Sequence, residues 1–170
     1  MSGTPTTTAA PLPATTWLQP EELSSRDGVL DVEFEAAPSM VPWRDSQRWA
    51  LTYNGTTPGP TLRVRPGDRL RVTLRNRLDS PTNLHVHGLH VSPSANSDNV
   101  FVMIGPGEEH TYDYLIPDDH PSGTFWYHPH HHGTVAEQVA AGMAGVIIIE
   151  DELYWGKDRM DFVEEHLSRL

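Results

Sequence analysis

Two histidine pairs in this sequence share the same spacing. His85 and His87 are separated by one residue, and so are His128 and His130. Both pairs lie in runs of β-branched and aromatic residues, which favour strands. Side chains at positions i and i+2 of a strand point to the same face, so each pair presents two imidazole rings on one side. If the two strands are neighbours, the four rings converge on one patch.

Imidazole nitrogen is a ligand for copper, zinc, iron and nickel. The two pairs therefore predict a metal site made by His85, His87, His128 and His130. The alternative that the residues leave open is a pH-sensitive polar cluster, since four imidazolium rings close together repel one another at low pH. A metal fits better, because it lowers the free-energy cost of holding four neutral rings together and requires its ligands to be deprotonated.

The chain contains ten histidines, and the other six are weaker candidates. His131 and His132 directly follow His130, where strand geometry disfavours a ligand. We expect them either in a loop or hydrogen-bonded to the ligands from behind. His90 is out of phase with the first pair and is expected to point away from it. Isolated histidines are usually surface residues or hydrogen-bonded core residues, and this expectation applies to His110, His120 and His166.

Composition excludes several classes of protein. There are 12 Lys and Arg against 23 Asp and Glu, a net charge of −11. That balance argues against nucleic acid as a partner, because phosphates need a basic surface. No apolar run reaches the ~18 residues of a membrane span. The chain has no cysteine, which excludes disulfides and thiolate ligands, and its 170 residues suffice for one domain with its own core.

The two ends of the chain differ in composition from the middle. Residues 1–20 are rich in Thr and Pro, so we expect a disordered arm. They show no signal peptide; the sequence as it stands predicts a cytoplasmic protein, or a periplasmic or secreted one from which a leader was removed. Residues 21–153 are expected to form the folded domain. Residues 154–170 form a tail whose apolar residues recur at helical spacing, which predicts a short amphipathic helix.

Between these ends, polar and apolar residues alternate in short runs separated by Gly and Pro turns. Besides the two histidine strands, we predict strands at 28–36, 47–53, 61–64, 68–78, 100–104, 108–116 and 145–150. Residues 38–45 are predicted to be a loop, and residues 134–143 one or two helical turns. Many short strands with little helix predict an all-β fold, a Greek-key sandwich of two antiparallel sheets.

The motifs around the histidines resemble the first, N-terminal cupredoxin-like domain of bacterial multicopper oxidases, the laccase-like family. The similar segments are Tyr53–Gly55, Pro58–Pro60, Val64–Asp68, Asn83–Leu89, Gly123–His130, Gln138 and Gly142–Gly145. They extend over about residues 28–152. The resemblance implies a cupredoxin-like sandwich and copper as the cofactor, with zinc as the alternative.

In this family the matching histidines form the first domain's half of a trinuclear copper centre that reduces dioxygen to water. The resemblance implies that His85 is a type 2 copper ligand and that His87, His128 and His130 hold the type 3 pair. Asp98 lies about where the family often has an acid that assists proton delivery to oxygen, which implies a proton relay. Its position in the sequence NSDN equally fits a turn residue.

The chain departs from the family in its ligands for type 1 copper. The family's second half of the centre comes from a later domain, which also carries a cysteine for the blue copper, and a blue copper site needs a thiolate. Without a cysteine, the isolated chain is predicted to be inactive as an oxidase, because Met103 and Met143 cannot replace that ligand. Trp126 and Tyr127 are expected to be packing residues rather than redox relays.

Three hypotheses follow. In the first, the chain is the N-terminal domain of a larger oxidase, whose other cupredoxin domains complete the copper centre, with dioxygen and an electron-donating substrate as reactants. In the second, it is a single-domain protein that completes the centre with copies of itself or with a partner chain, or that binds copper or zinc at a four-histidine site. In the third, it is a structural or interaction module without oxidase activity. An open position on zinc would also activate water for hydrolysis, but no general base stands out in the sequence.

Overall fold

This computed structural model describes residues 19–150, which form two β-sheets, one short helix and the loops that connect them. The elements are β1 Glu22–Ser24, β2 Val29–Trp43, β3 Ser46–Tyr53, β4 Thr61–Val64, β5 Arg69–Asn76, β6 His85–His87, β7 Glu109–Leu115, β8 Gly123–His128, α1 Val135–Ala140 and β9 Gly145–Ile149. The predicted tail helix, and all but the last two residues of the predicted arm, lie outside the described residues.

One sheet has the strand order β1-β4-β9-β8-β6 and the other the order β3-β2-β5-β7. The prediction of an all-β, two-sheet sandwich of the cupredoxin type is confirmed. The expectation that its sheets are purely antiparallel is wrong, because β2 pairs with β5 and β4 with β9 in parallel. In each of these pairs other strands intervene along the chain, so the two partners are free to run in the same direction.

The alternation of polar and apolar residues places the core between the sheets. Every second residue of β5 is fully buried, namely Leu70, Val72, Leu74 and Asn76. The alternate residues face outward, and the arginines among them form ion pairs with neighbouring strands, as Arg75 does with Glu33 and Glu109. The prediction of a strand at 68–78 is confirmed, and its alternating residues make it buried on one face only.

Residues 38–45 were expected to form a loop, but they continue β2 as far as Trp43 and pair with β3. Pro38 and Pro42 lie inside this strand. They are tolerated because β5 pairs only with Val29–Ala36, so beyond that point β2 has a neighbour on one side only.

Residues 100–104 do not form the predicted strand. Ile104 makes an isolated bridge with Thr82, and the carbonyls of this segment accept hydrogen bonds from side-chain amides of Asn76 and Asn83 instead of from a strand. Side-chain bonding of this kind replaces a β-ladder.

The helix α1 lies within the segment predicted to form one or two turns. Its buried residue is Gln138, which donates to the carbonyl of Pro81 and accepts from the hydroxyl of Thr82, both at 2.9 Å. These bonds hold the helix against the segment that leads into β6. Within residues 19–150, no helix is long and apolar enough to cross a membrane.

Candidate metal centre

The two histidine pairs meet at one edge of the five-stranded sheet, as the sequence predicts. β6 and β8 are antiparallel neighbours, and His85 lies opposite His128. Val86 lies between the histidines of the first pair, and Tyr127 directly precedes the second pair. Both are buried in the core, at 1% and 0% exposure. The sheet register therefore determines which face carries the rings.

Four imidazole rings lie together on this face. The ring centroid of His85 is 5.6 Å from that of His87, 5.2 Å from that of His128 and 5.1 Å from that of His130. Nitrogen atoms of His85, His87 and His128 all lie within 4.8 Å of one another. The structure thus brings the four predicted ligands into one cluster, which we call the ring cluster.

His130 reaches the ring cluster from outside the strand. β8 ends at His128, and the backbone N–H of His130 donates to Oδ1 of Asn83 at 2.6 Å. Alternation along a strand predicts the correct face for His130, but a buried side-chain amide holds it there. Sequence reasoning missed this role of Asn83, although an amide side chain two residues before the first histidine pair was a usable signal.

The ring cluster is buried at one end and open at the other. His128 is 6% exposed, the side chain of His85 is 19% exposed, and His87 and His130 are exposed. An ion held here would be shielded on one side and accessible to a further ligand on the other.

His128 has the hydrogen bonding that a metal ligand requires. Its Nδ1 lies 2.8 Å from the carbonyl of Pro129, so Nδ1 carries the proton and donates. Its Nε2 is buried and has no hydrogen-bond partner among the described residues. Burial lowers the pKa of His128, and the rings of His85, His87 and His130 lower it further against the opposing effect of the bond to Pro129. The ring is therefore neutral with an unpaired lone pair, which fits a bound metal.

Asp98 orients His85. Its two carboxylate oxygens each lie 2.9 Å from Nδ1 of His85, and Oδ1 also accepts the backbone N–H of Val86 at 3.0 Å. Nδ1 therefore donates, and Nε2 keeps its lone pair. A carboxylate behind a histidine ligand fixes the tautomer and raises the basicity of the ligand. The proton-relay role of Asp98 stays a prediction, and its backbone bond to Ser92 also fits the alternative, a turn residue.

An indole ring lies beside two of the imidazoles. Trp126 stacks on His128 with centroids 4.0 Å apart and on His87 with centroids 5.2 Å apart. Tyr127, on the other face of β8, donates its hydroxyl to the carbonyl of Pro60 at 2.7 Å inside the core. Both residues pack as expected, Trp126 against the ring cluster and Tyr127 against the core.

Three further histidines of the described chain lie away from the ring cluster. His120 is 3% exposed; its Nε2 accepts the N–H of His90 at 3.0 Å and its Nδ1 donates to Pro121 at 2.9 Å, as expected of a hydrogen-bonded core residue. His90 packs on His120 at 4.8 Å. His110 departs from this expectation, since its Nε2 is buried with no hydrogen-bond partner among residues 19–150. His166 lies outside the described residues.

His131 and His132 lie between β8 and α1. The carbonyl of His131 accepts the backbone N–H groups of Thr134 and Val135 at 3.2 and 3.1 Å, so this residue helps to start the helix. His132 is exposed. Their expected support of the metal ligands stays a prediction.

The fold and the ring cluster define a cupredoxin-like domain with a candidate metal site, and comparison with known proteins identifies its family. A family model described as Multicopper oxidase matches residues 36–153. The chain belongs to the multicopper oxidase family, and the resemblance seen in the sequence is confirmed.

Similar proteins include bacterial oxidases of much greater length. The chain is 42% identical over 101 residues to multicopper oxidase mco of Staphylococcus haemolyticus, which covers 59% of this chain and 22% of that protein. It is 35% identical over 144 residues to copper resistance protein A of Pseudomonas syringae pv. tomato, with 79% and 22% covered. The solved structure of a multicopper oxidase from Campylobacter jejuni, a metallo-oxidase, superimposes with a TM-score of 0.68 at 32% identity, over 79% of this chain and 30% of that one. The chain thus spans about a fifth of the length of these curated relatives.

Proposed function

We propose that this chain supplies one half of a trinuclear copper centre at which dioxygen is reduced to water. The proposed ligands are His85 for type 2 copper and His87, His128 and His130 for the type 3 pair. The observation that supports this most directly is the buried, unpaired Nε2 of His128 in the middle of three other imidazoles.

An all-imidazole donor set suits both copper and zinc, and membership of the multicopper oxidase family favours copper. When bound, copper supplies one-electron redox chemistry. The residues of the chain itself hold neutral nitrogen donors at fixed positions, and the core beneath Val86 and Tyr127 keeps water from one side of the site.

In this proposal Asp98 orients His85 and takes part in moving protons towards the site. The Asp98 side chain is 14% exposed, so it contacts solvent on one side and Nδ1 of His85 on the other. A carboxylate in that position is able to exchange protons with water while it stays hydrogen-bonded to the imidazole ring of His85.

The other half of the centre is proposed to come from further cupredoxin domains or from copies of this chain. The 170 residues contain no cysteine, so a type 1 site would have to lie elsewhere, together with the contact to the electron-donating substrate. The exposed rings of His87 and His130 support an arrangement in which another unit covers the open side. The isolated chain is expected to show no oxidase turnover.

A second candidate function is metal binding, of copper or zinc, by this domain alone without oxidase activity. The proximity of nitrogen atoms from three histidines of one chain favours it, because a site of this kind needs no second unit.

The test compares two buried histidines. His128→Gln removes a proposed ligand, and His120→Gln changes a histidine of similar burial, 3% against 6% exposed, that lies away from the ring cluster. Each protein is loaded with Cu(II) or Zn(II), dialysed, and assayed for metal content and by electron paramagnetic resonance. We expect the wild type and His120→Gln to retain copper and His128→Gln to lose it. Equal copper content in both variants would refute the proposed ligand set.

A further inference from the structure

Asn83 is fully buried at the point where three segments around the ring cluster meet. Its Oδ1 accepts the N–H of His130 at 2.6 Å, and its Nδ2 donates to the carbonyls of Val100 at 2.9 Å and Val102 at 3.1 Å. A primary amide offers one oxygen acceptor and two N–H donors, and here all of these are used. A carboxylate has no donor and a hydroxyl has a single one, so neither can replace the amide.

Each of the three segments carries part of the site. Asn83 itself leads into β6, two residues before His85. The segment around Val100 and Val102 is joined to the loop of Asp98, since the N–H of Val102 donates to the carbonyl of Asn99 at 3.1 Å. The third segment carries His130. The amide of Asn83 therefore links three parts of the site: the residues that lead to His85, the backbone of His130, and the loop of Asp98, whose carboxylate holds His85.

His130 depends on this link because of the residue before it. β8 ends at His128, and Pro129 has no backbone N–H to donate. The N–H of His130 is therefore the first backbone donor after the strand, and Asn83 accepts it. The ring of His130 contacts those of His85 and His128, but the residue is exposed, so packing from the core does little to hold it.

We propose that Asn83 is a positioning residue for the metal site. It fixes the backbone of His130 to the segment that continues the loop of Asp98, and in this way it determines where the imidazole ring of His130 lies. This inference rests on the proposed function, since it takes His130 to be a copper ligand.

The chain offers a matched control. Asn76 is also fully buried; its Nδ2 donates to the carbonyls of Ser80 and Ile104, and its Oδ1 accepts the N–H of Leu78, each at 2.9 Å. It makes the same kinds of bond as Asn83 and holds the far end of the same 100–104 segment, but none of these bonds goes to a proposed ligand. Asn76→Ala therefore reproduces the structural loss of Asn83→Ala without releasing His130.

The first measurement uses the metal-free protein. Amide hydrogen exchange at His130 is followed by NMR in the wild type, Asn83→Ala and Asn76→Ala, after thermal unfolding has shown that each variant is folded. Asn83→Ser and Asn76→Ser replace the alanine variants if either fails to fold. We expect His130 to exchange faster in the Asn83 variant alone. Unchanged exchange at His130 in that variant would overturn the inference.

The second measurement is a Cu(II) titration of the same proteins together with His130→Ala and the double variant Asn83→Ala/His130→Ala. Loss of a residue that orients a metal ligand lowers metal affinity by about 10–100-fold, and we expect that loss for Asn83→Ala and none for Asn76→Ala. Because Asn83 acts through His130, the double variant should bind copper no more weakly than His130→Ala.

Fully additive losses, or equal affinities of the Asn83 and Asn76 variants, would overturn this inference while the proposed function stands. A wild-type protein that binds no copper would overturn both.

Discussion

Replacing Asp98 by asparagine should weaken copper binding by changing the tautomer of His85. Both carboxylate oxygens lie 2.9 Å from Nδ1 of His85, so an amide nitrogen in place of either oxygen faces Nδ1. Two N–H groups repel at that distance. Because the N–H of Val86 keeps the amide oxygen at the Oδ1 position, the amide nitrogen takes the Oδ2 position and donates to Nδ1. This favours the tautomer with the ring proton on Nε2, which removes the lone pair on the side of the ring cluster.

The expected size of this effect follows from the position of Asp98 behind a ligand. Loss of such a partner lowers metal affinity by about 10–100-fold, which corresponds to about 1.4–2.8 kcal/mol of binding free energy. The free energy of unfolding of the metal-free protein should change less, because the amide oxygen can still accept the N–H of Val86, now 3.0 Å from Oδ1. A larger effect on affinity than on stability separates an orienting role from a merely structural one.

The assay is a competitive Cu(II) titration, combined with NMR of the ring nitrogens of His85 in the metal-free protein. Asp31→Asn is the control, because it removes one negative charge from an exposed ion pair with Arg71. If Asp98→Asn binds copper as tightly as Asp31→Asn, and His85 keeps its proton on Nδ1, the tautomer argument is refuted.

Three further predictions concern stability. Burial lowers the pKa of His110 in the folded protein below its ordinary 6.5. As the pH falls below 6.5, the unfolded chain therefore takes up a proton before the folded chain does. The free energy of unfolding decreases from pH 6.5 down to the pKa of His110 in the folded protein. His110→Phe should reduce the fall in melting temperature on acidification through this window, and an unchanged fall would contradict the argument. Gln138→Leu leaves the polar groups of Thr82 and Pro81 without their partner, so it should lower the free energy of unfolding, measured in urea, by about 1–3 kcal/mol. Gln138→Glu at low pH keeps an acceptor and a donor, and it should recover part of that free energy. Gly145→Ala places a methyl group against the ring and hydroxyl of Tyr127 and should lower stability by about 1–3 kcal/mol; an unchanged urea midpoint would contradict the packing described here.

The strands and the ring cluster follow from local patterns. Alternation in β5 predicts which side is buried because a strand has a period of two, and the same period predicts that His85 and His87 share a face. The pairing of β6 with β8 joins residues about forty positions apart, His85 with His128, yet the repeated spacing of the histidines was enough to suggest it.

What the sequence does not predict are the side-chain bonds between distant loops. Asn83 bonds to residues 17, 19 and 47 positions away, and nothing local to residue 83 specifies those partners. The same holds for Pro38 and Pro42, which are compatible with β2 only because its neighbour on one side ends at Ala36. Local rules fail where tertiary contacts decide which backbone groups need a partner.

The most direct test of the copper site is pulsed electron paramagnetic resonance of the Cu(II)-loaded chain, prepared with ¹⁵N-labelled histidine and compared with single alanine variants of His85, His87, His128 and His130. We expect imidazole nitrogens coupled to copper in the wild type, with fewer coupled rings in each variant. A Cu(II) signal without histidine nitrogen coupling, or one unchanged in all four variants, would contradict it.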